Sequence, residues 1–459
     1  MILFLHMYVY VYVYMFLFLY ISMYHDLIVV GCGVAGLRVG IEAAKKGVSC
    51  CILEKYGYCG GRVFTYKHGR YRWESGAGRI AASHVKVRAL IDKYGLAFQP
   101  FHGDSSYLHK GILEKNTFKE LCDIYLEPLR GLPANVLSNN TIGDLLDATM
   151  DDAKGFYLKF PYFAEIHTLR ADRALHSFDN EMGSTRFGGC EGGLSRVTDG
   201  MVEEFLSLGG SIIHECTVES LNRRDHPLSP LFRPINGPLN GPTKKRVGAQ
   251  LLCKMGDGSH RIIECGTCVF ALHADAVRGI KGLAHLPVLN KLRMEPLVRI
   301  YMVFPVTKGK AWFTDIGKIV TDDKIRYMIP MGGGNVMISY TDGSDARYWL
   351  SKLDATKKNG EKAVCDEIMS RVRALFPDIH IPDPLFVTFH PWQSGCTYWT
   401  CGNYSVEEES LKALHPMREY PSVFMCGESF SVNQCWIESA LDHADSLLGL
   451  DAFQRSICA

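Results

Sequence analysis

The segment that most constrains this chain is a strand–turn–helix–strand pattern near its N-terminus. A short apolar run, Asp26–Val30, leads directly into Gly31-Cys-Gly-Val-Ala-Gly36 and then into residues with helical apolar spacing. Two lysines and Gly47 end that helix, and a second apolar run, 48–53, ends in Glu54. A glycine turn between a buried parallel strand and a helix N-terminus is typical of dinucleotide binding, because free N–H groups and the helix dipole face the diphosphate.

Each glycine in this pattern, and the acid that follows it, has a physical task. Gly31 permits the tight turn, Gly33 lets the backbone approach the diphosphate, and Gly36 lets helix and strand pack closely. Glu54 follows Gly36 by 18 residues, which suits an acceptor for the ribose hydroxyls. The pattern predicts an α/β fold that begins with a Rossmann-type unit.

Bulk composition limits the classes of protein and partner. A chain of 459 residues is too long for one ordinary core, so two packed domains are expected. Its 50 basic residues nearly cancel its 49 acidic ones, and no basic block occurs, which excludes nucleic acid as a main partner.

The sixteen cysteines are scattered along the chain, and Cys50 and Cys51 are adjacent in a predicted strand. This distribution favours reduced thiols, and therefore the cytoplasm or another reducing compartment. Cys265 and Cys268 form a lone CxxC without a second pair, so strand cysteines are favoured over zinc and no metal site is predicted.

Residues 1–22 form a hydrophobic extension with alternating tyrosine and valine and no acidic residue, lysine or arginine. The extension is long enough to span a bilayer, but it lacks the basic start and cleavage site of a signal peptide. Two interpretations stay open: a membrane anchor, which would place the protein at a membrane, or translated upstream DNA with Met23 as the working start.

Three further segments carry a resemblance to a known family. They are Gly60-Gly-Arg62, Trp73-Glu-Ser-Gly-Ala-Gly-Arg-Ile80, and a C-terminal pair, Val423–Glu428 followed by Cys435-Trp-Ile-Glu-Ser-Ala-Leu441. Together with the N-terminal pattern they resemble the flavin-containing amine oxidase superfamily, which includes monoamine, polyamine and L-amino-acid oxidases. Cys435 and Ser439 depart from the pattern, since many relatives carry glycine there.

The resemblance implies FAD as the cofactor, with non-covalent binding favoured and a thioether to Cys396 as the alternative. The cofactor-binding residues expected from motif and resemblance are Gly31, Gly33, Ala35, Gly36, Glu54, Lys55, Gly61, Arg62, Gly76, Ala77, Gly78, Arg79, Val218, Gly427, Glu428, Trp436, Ile437 and Ala440.

The resemblance also implies a two-domain amine oxidase fold. We expect a discontinuous Rossmann-type FAD-binding domain in residues 23–104, 186–289 and 386–452. The second domain, an α+β substrate-binding domain, is expected in 105–185 and 290–385, where helical periodicity is followed by strand-like runs.

Four catalytic candidates follow from the same resemblance. Trp436 and Tyr398 would form aromatic walls beside the flavin, although Thr397 separates Cys396 from Tyr398, where monoamine oxidases have cysteine directly before tyrosine. Arg299 stands where many relatives place a lysine near the flavin; an ion pair at a strand end is the alternative. Arg79 matches the arginine that binds the substrate carboxylate in L-amino-acid oxidases, or else it bridges to phosphate or a surface acid.

The function expected from the resemblance is oxidation of an amine to an imine, with O2 reoxidising the flavin to give H2O2. The alternatives are an L-amino-acid oxidase that uses Arg79, a desaturase or porphyrinogen oxidase-type enzyme, and a non-catalytic flavoprotein. The expected partners are a small amine or amino acid and O2, with a homodimer as a further possibility.

Overall fold

The computed structural model describes residues 23–101, 103–149, 163–179, 187–222, 248–354, 360–417 and 420–458. The hydrophobic extension 1–22 lies outside the described residues.

The first sheet is built around the predicted N-terminal strand. Met23–Val30 pairs in parallel with Cys50–Leu53 on one side and with His260–Phe270 on the other. Leu27 to Val30 are buried, as expected for a parallel strand covered on both faces by helices. The strands lie in the order Ser211–Ile213, Cys50–Leu53, Met23–Val30, His260–Phe270, Ala249–Met255 and Cys216–Asn222, and Val423–Met425 also pairs with His260–Phe270.

The helix Val34–Lys45 starts directly after the glycine turn and packs between the helices Ser195–Ser207 and Ile437–Leu448. At Gly36 an added Cβ would lie 2.0 Å from the Gly31 carbonyl oxygen. Only glycine therefore lets the helix approach the turn this closely, and Rossmann-type packing is confirmed.

In the second sheet, Leu292–Val303 pairs antiparallel with both Phe386–Trp399 and Asn335–Asp342. The strand order is Phe386–Trp399, Leu292–Val303, Asn335–Asp342, Tyr327–Gly332, Lys318–Thr321, Ser105–His109 and Ile112–Thr117. Leu292–Val303 is buried from Glu295 onward, and successive side chains alternate between its two faces. Val298, Ile300 and Met302 pack in a core with Trp349, which lies on the helix Gly343–Asp354.

The strand Phe386–Trp399 belongs to this second sheet, whereas the predicted ranges assigned 386–399 to the FAD-binding domain. The reason is its long pairing with Leu292–Val303, which sequence periodicity does not reveal. The exact domain ranges remain a proposal.

The remaining elements are short strands and covering helices. Thr65–His68 pairs with Tyr71–Glu74, and Phe187–Cys190 lies between Ile80–Ala81 and Phe98–Pro100. The other helices are Val85–Lys93, Phe118–Arg130, Ala134–Asn139, Ile142–Thr149, Ala164–His167, Ala171–Ser177, Ala274–Arg278, Pro287–Lys291, Gly360–Leu375, Val406–Leu414, Glu428–Phe430 and Asp451–Cys458.

Two glycines of the turn offer a matched test of the packing. We expect Gly36→Ala to lower the free energy of unfolding of the apoprotein by about 1–3 kcal/mol, because the methyl group overlaps the Gly31 carbonyl. Gly33 has an ordinary φ of −80° and open space around an added Cβ, so Gly33→Ala should leave that free energy within about 0.5 kcal/mol of the parent. Urea unfolding of both apoproteins measures the difference, and equal stabilities would contradict it.

Candidate active site

A cavity of about 1700 Å³ is lined by residues of both sheets. Of the eighteen predicted cofactor-binding residues, only Gly36 is not among its lining residues. All four catalytic candidates line it as well. Chain segments that are distant in sequence thus meet at one cavity; the individual roles of these residues remain proposals.

The dinucleotide end of the cavity is shaped by the glycine turn and Glu54. The Cys32 and Tyr56 backbone N–H groups donate to the Glu54 carboxylate over 2.7 and 2.9 Å, which holds this buried side chain at the strand end. A Cβ at Gly33 would meet no atom within 4 Å, although Gly33 lines the cavity. The turn therefore leaves room for a diphosphate beside a helix N-terminus, and the residues fit FAD.

A disulfide joins two of the predicted cofactor segments. Cys32, inside the glycine turn, is bonded to Cys59, which directly precedes Gly60. The Gly60 N–H also donates to the Cys32 carbonyl over 2.8 Å. The prediction of reduced thiols is wrong for this pair, because folding brings their Cα atoms to 4.9 Å, within disulfide range. The other fourteen cysteines are free, and a reducing compartment remains a prediction.

A partly buried ion pair connects the N-terminal and C-terminal family segments. The Arg62 Nη2 atom lies 2.7 Å from the Glu428 Oε2 atom, and Arg62 Nη1 donates to the Gly395 carbonyl over 3.0 Å. The other Glu428 oxygen accepts from the Cys435 N–H over 2.7 Å. Arg62 and Glu428 therefore support each other, and the predicted cofactor contact of Glu428 would use its remaining acceptor capacity.

Tyr398 and Cys396 both line the cavity, because side chains two residues apart on the strand Phe386–Trp399 share a face. The intervening Thr397 faces the other way, and its hydroxyl lies 2.6 Å from the Ser429 hydroxyl. The inserted threonine therefore keeps Tyr398 on the cavity side. A hydrogen bond with Cys396, together with burial, raises the pKa of the Cys435 thiol well above its usual range.

Trp436 and Arg79 form one stacked wall. The Phe187 and Trp436 rings are nearly parallel at 7°, and the Arg79 guanidinium lies 5.0 Å from the first ring and 5.9 Å from the second. Among the described residues, Arg79 makes no ion pair with an acid. Burial and the Arg79 charge lower the pKa of Lys318, which also lines the cavity.

Arg299 is buried and lines the cavity beside Gly78, on the face of Leu292–Val303 that points away from the apolar core. Its Nη1 atom donates to the Glu74 carbonyl over 3.1 Å, and its guanidinium lies 4.9 Å from the Tyr340 ring. Burial, then the Arg299 charge, lowers the pKa of His390 to about 4. Among the described residues no acid forms an ion pair with Arg299, which was the alternative interpretation, and its role near the flavin stays a prediction.

Sequence reasoning missed Glu165, Tyr340 and Asp342, all of which line the cavity. Tyr340 could have been found, since it ends an apolar run in the sequence. Its pairing with Arg299 follows only from the antiparallel register. Glu165 lies in the four-residue helix Ala164–His167, which carries no motif.

Within the described ranges, no group of three or more histidine, cysteine, aspartate or glutamate residues could hold a metal ion. Among the helices of those same ranges, none combines the length and the apolar character that crossing a membrane requires.

Comparison with known proteins identifies the class of protein. The family model described as "Flavin containing amine oxidoreductase" matches residues 144–446, more than half of the chain, and a model described as "NAD(P)-binding Rossmann-like domain" matches 29–94. The chain belongs to the flavin-containing amine oxidoreductase family. This confirms the predicted superfamily, the Rossmann-type α/β fold, the FAD cofactor and the class of FAD-dependent oxidoreductases.

Individual relatives are more distant. An L-amino acid oxidase of Lachesis muta is 31% identical over 104 residues, which is 22% of this chain and 20% of that protein. A 1-hydroxycarotenoid 3,4-desaturase of a Flavobacterium species is 31% identical over 83 residues, 18% of this chain and 16% of that protein. The match thus spans about a fifth of the length of these curated relatives. A redesigned putrescine oxidase shares the fold, with a TM-score of 0.67, 13% identity and coverage of 95% of this chain and 100% of its own.

The disulfide gives a direct prediction. Alkylation of the denatured protein without reductant should modify fourteen cysteines, because Cys32 and Cys59 are bonded to each other. Mass spectrometry should find their two peptides linked, and Cys59→Ser should add one alkylated cysteine. Alkylation of both residues in aerobically purified, unreduced protein would contradict the pairing.

Proposed function

We propose that this protein uses FAD to oxidise the C–N bond of a small amine to an imine, with O2 as the final acceptor and H2O2 as a product. The observation that carries the proposal is one continuous cavity that joins the glycine turn to the chamber around Tyr398, Tyr340 and Trp436. Membership of the flavin-containing amine oxidoreductase family supports the same reaction class.

Different parts of the wall would hold different parts of the cofactor. Gly33 and Glu54 would hold the diphosphate and the adenosine ribose, whereas Arg62 and Glu428 would hold the segment towards the flavin. The helix Ile437–Leu448 begins at the cavity wall, and its positive dipole end stabilises negative charge there. Bound FAD would supply the two-electron acceptor of the reaction, with O2 as the final acceptor.

The chamber itself prepares the substrate. Tyr398 is buried, with 1% of its surface exposed, and burial raises the pKa of its hydroxyl, which stays protonated. Aromatic walls of this kind penalise a charged ammonium, so they favour the neutral amine, whose lone pair is required for loss of the α-hydrogen. Tyr340 and Trp436 would confine the amine between them.

An L-amino acid is the second candidate substrate, and Arg79 favours it. Arg79 lines the cavity without an acidic partner among the described residues, so its guanidinium could donate to a substrate carboxylate. The partial likeness to L-amino acid oxidases points the same way.

Flavin bleaching tests both substrate classes. We expect an amine to bleach the flavin absorbance under anaerobic conditions and to yield H2O2 in air.

If amino acids are the substrates instead, Arg79→Gln should lower their kcat/KM about tenfold to a hundredfold and spare amines, since one charge-assisted hydrogen bond contributes ~1.5–3 kcal/mol. Arg88→Gln is the matched control, because Arg88 also lies over a ring, Phe98, but does not line the cavity. A flavin that no amine or amino acid reduces would disprove the proposal.

Non-covalent attachment gives a separate prediction. We expect Cys396 not to form a thioether with the flavin, because Thr397 separates it from Tyr398, whereas monoamine oxidases have cysteine directly before tyrosine. Acid precipitation of the holoprotein should release all flavin absorbance into the supernatant, and Cys396→Ser should release no more. Flavin that stays with the precipitate of the parent protein but not of Cys396→Ser would show a thioether instead.

A further inference from the structure

Glu165 places a carboxylate in the wall of the substrate chamber, and none of the described residues forms an ion pair with it. One oxygen, Oε1, accepts a hydrogen bond from the Tyr398 hydroxyl over 3.2 Å. The other oxygen, Oε2, is buried and has no hydrogen-bond donor among the described residues. A buried carboxylate oxygen without a donor is costly, so it indicates a position at which a bound group would complete the site.

The nearby arginine Arg326 pairs with other acids and not with the Glu165 carboxylate. The Arg326 guanidinium bonds to Asp342 over 2.8 Å and also lies 4.0 Å from Asp345, so its charge is used by those two acids. Asp342 accepts a further bond from the Ala164 N–H over 3.1 Å. The titratable or charged groups that face Glu165 are Asp342, Arg326, Tyr398 and Cys435 and, across a small adjoining cavity, Arg173 and His176.

The Glu165 carboxylate suits an ammonium group of the substrate other than the one that is oxidised. The nitrogen that reacts at the flavin must be uncharged, whereas a carboxylate stabilises the charged form of an amine next to it. Glu165 accepts a hydrogen bond from the Tyr398 hydroxyl, and both residues line the cavity. An ammonium at Glu165 therefore belongs at the far end of a substrate whose other end reacts.

We propose that Glu165 binds a second, remote cationic group of the substrate, so that the preferred substrates carry an ammonium at the end of an apolar alkyl chain. Two kinds of molecule share this chemistry: an α,ω-diamine or polyamine, and an amino acid with a basic side chain. The inference rests on the proposed function for its kinetic test, and a binding test separates the two.

The kinetic test uses substrate pairs in which the remote ammonium is replaced, by a methyl group in hexylamine for cadaverine and by hydrogen in L-norleucine for L-lysine. We expect cadaverine to reduce the flavin anaerobically with a kcat/KM about tenfold or more above that of hexylamine, or L-lysine above L-norleucine if amino acids are the substrates; tenfold corresponds to ~1.4 kcal/mol of differential binding. Glu165→Gln should abolish the preference, so that kcat/KM for cadaverine or L-lysine falls to about that for hexylamine or L-norleucine in the same variant. Glu127→Gln, on an exposed helix residue, should change neither rate.

The preference should also depend on pH. Burial, with the charge of Asp342, raises the pKa of Glu165 to about 7. The carboxylate is therefore charged above that pH and neutral below it, so the ratio of the two kcat/KM values should rise between about pH 6 and 8. The ratio should be independent of pH in Glu165→Gln, which a merely structural role of Glu165 would not produce.

Binding without turnover gives an independent measurement. An α,ω-diamine with two methyl groups on each carbon beside nitrogen has no α-hydrogen and cannot be oxidised. Calorimetric titration of the holoprotein should show about tenfold tighter binding of this diamine than of the matching monoamine, and the difference should vanish in Glu165→Gln. Equal binding of the two ligands, or a diamine preference that survives in Glu165→Gln, would overturn the inference. If no amine reduces the flavin but the binding difference is present, the proposed function fails and the Glu165 site stands.

Discussion

The ion pair between Arg62 and Glu428 is the interaction on which the site depends. It joins the segment after the first βαβ unit to the segment that precedes the last long helix, and a further bond from Arg62 reaches the Gly395 carbonyl of the second sheet. Both cofactor segments and the substrate side therefore meet at one guanidinium. A charge pair at such a position is costly to break singly, because the remaining partner would be left without compensation.

The strand Leu292–Val303 contributes both to the apolar core and to the cavity wall. Its alternation sends Val298, Ile300 and Met302 into an apolar core and turns Arg299 and Tyr301 towards the cavity. The buried core holds the strand in place, and the strand in turn fixes the orientation of the polar wall.

The chamber is electrostatically uneven. Arg79, Lys318 and Arg299 contribute cationic groups, whereas Glu165 contributes an acid whose neighbouring arginine is already paired. Substrate choice depends on which of these groups a ligand contacts, since the fold is shared by enzymes that act on different substrates. The Cys32–Cys59 disulfide adds rigidity at the dinucleotide end, where it ties the glycine turn to the following cofactor segment.

The sequence by itself determined the N-terminal strand, the glycine turn and the helix Val34–Lys45, because hydrophobic period and glycine placement are local properties. It also predicted which segments contribute to the cavity, since the family-like motifs are short and contiguous. Only the tertiary structure decided the pairing of Cys32 with Cys59, the place of Phe386–Trp399 in the second sheet, and the position of Glu165 in the cavity wall. These three features depend on contacts between residues far apart in the chain, and no local period or spacing encodes such contacts.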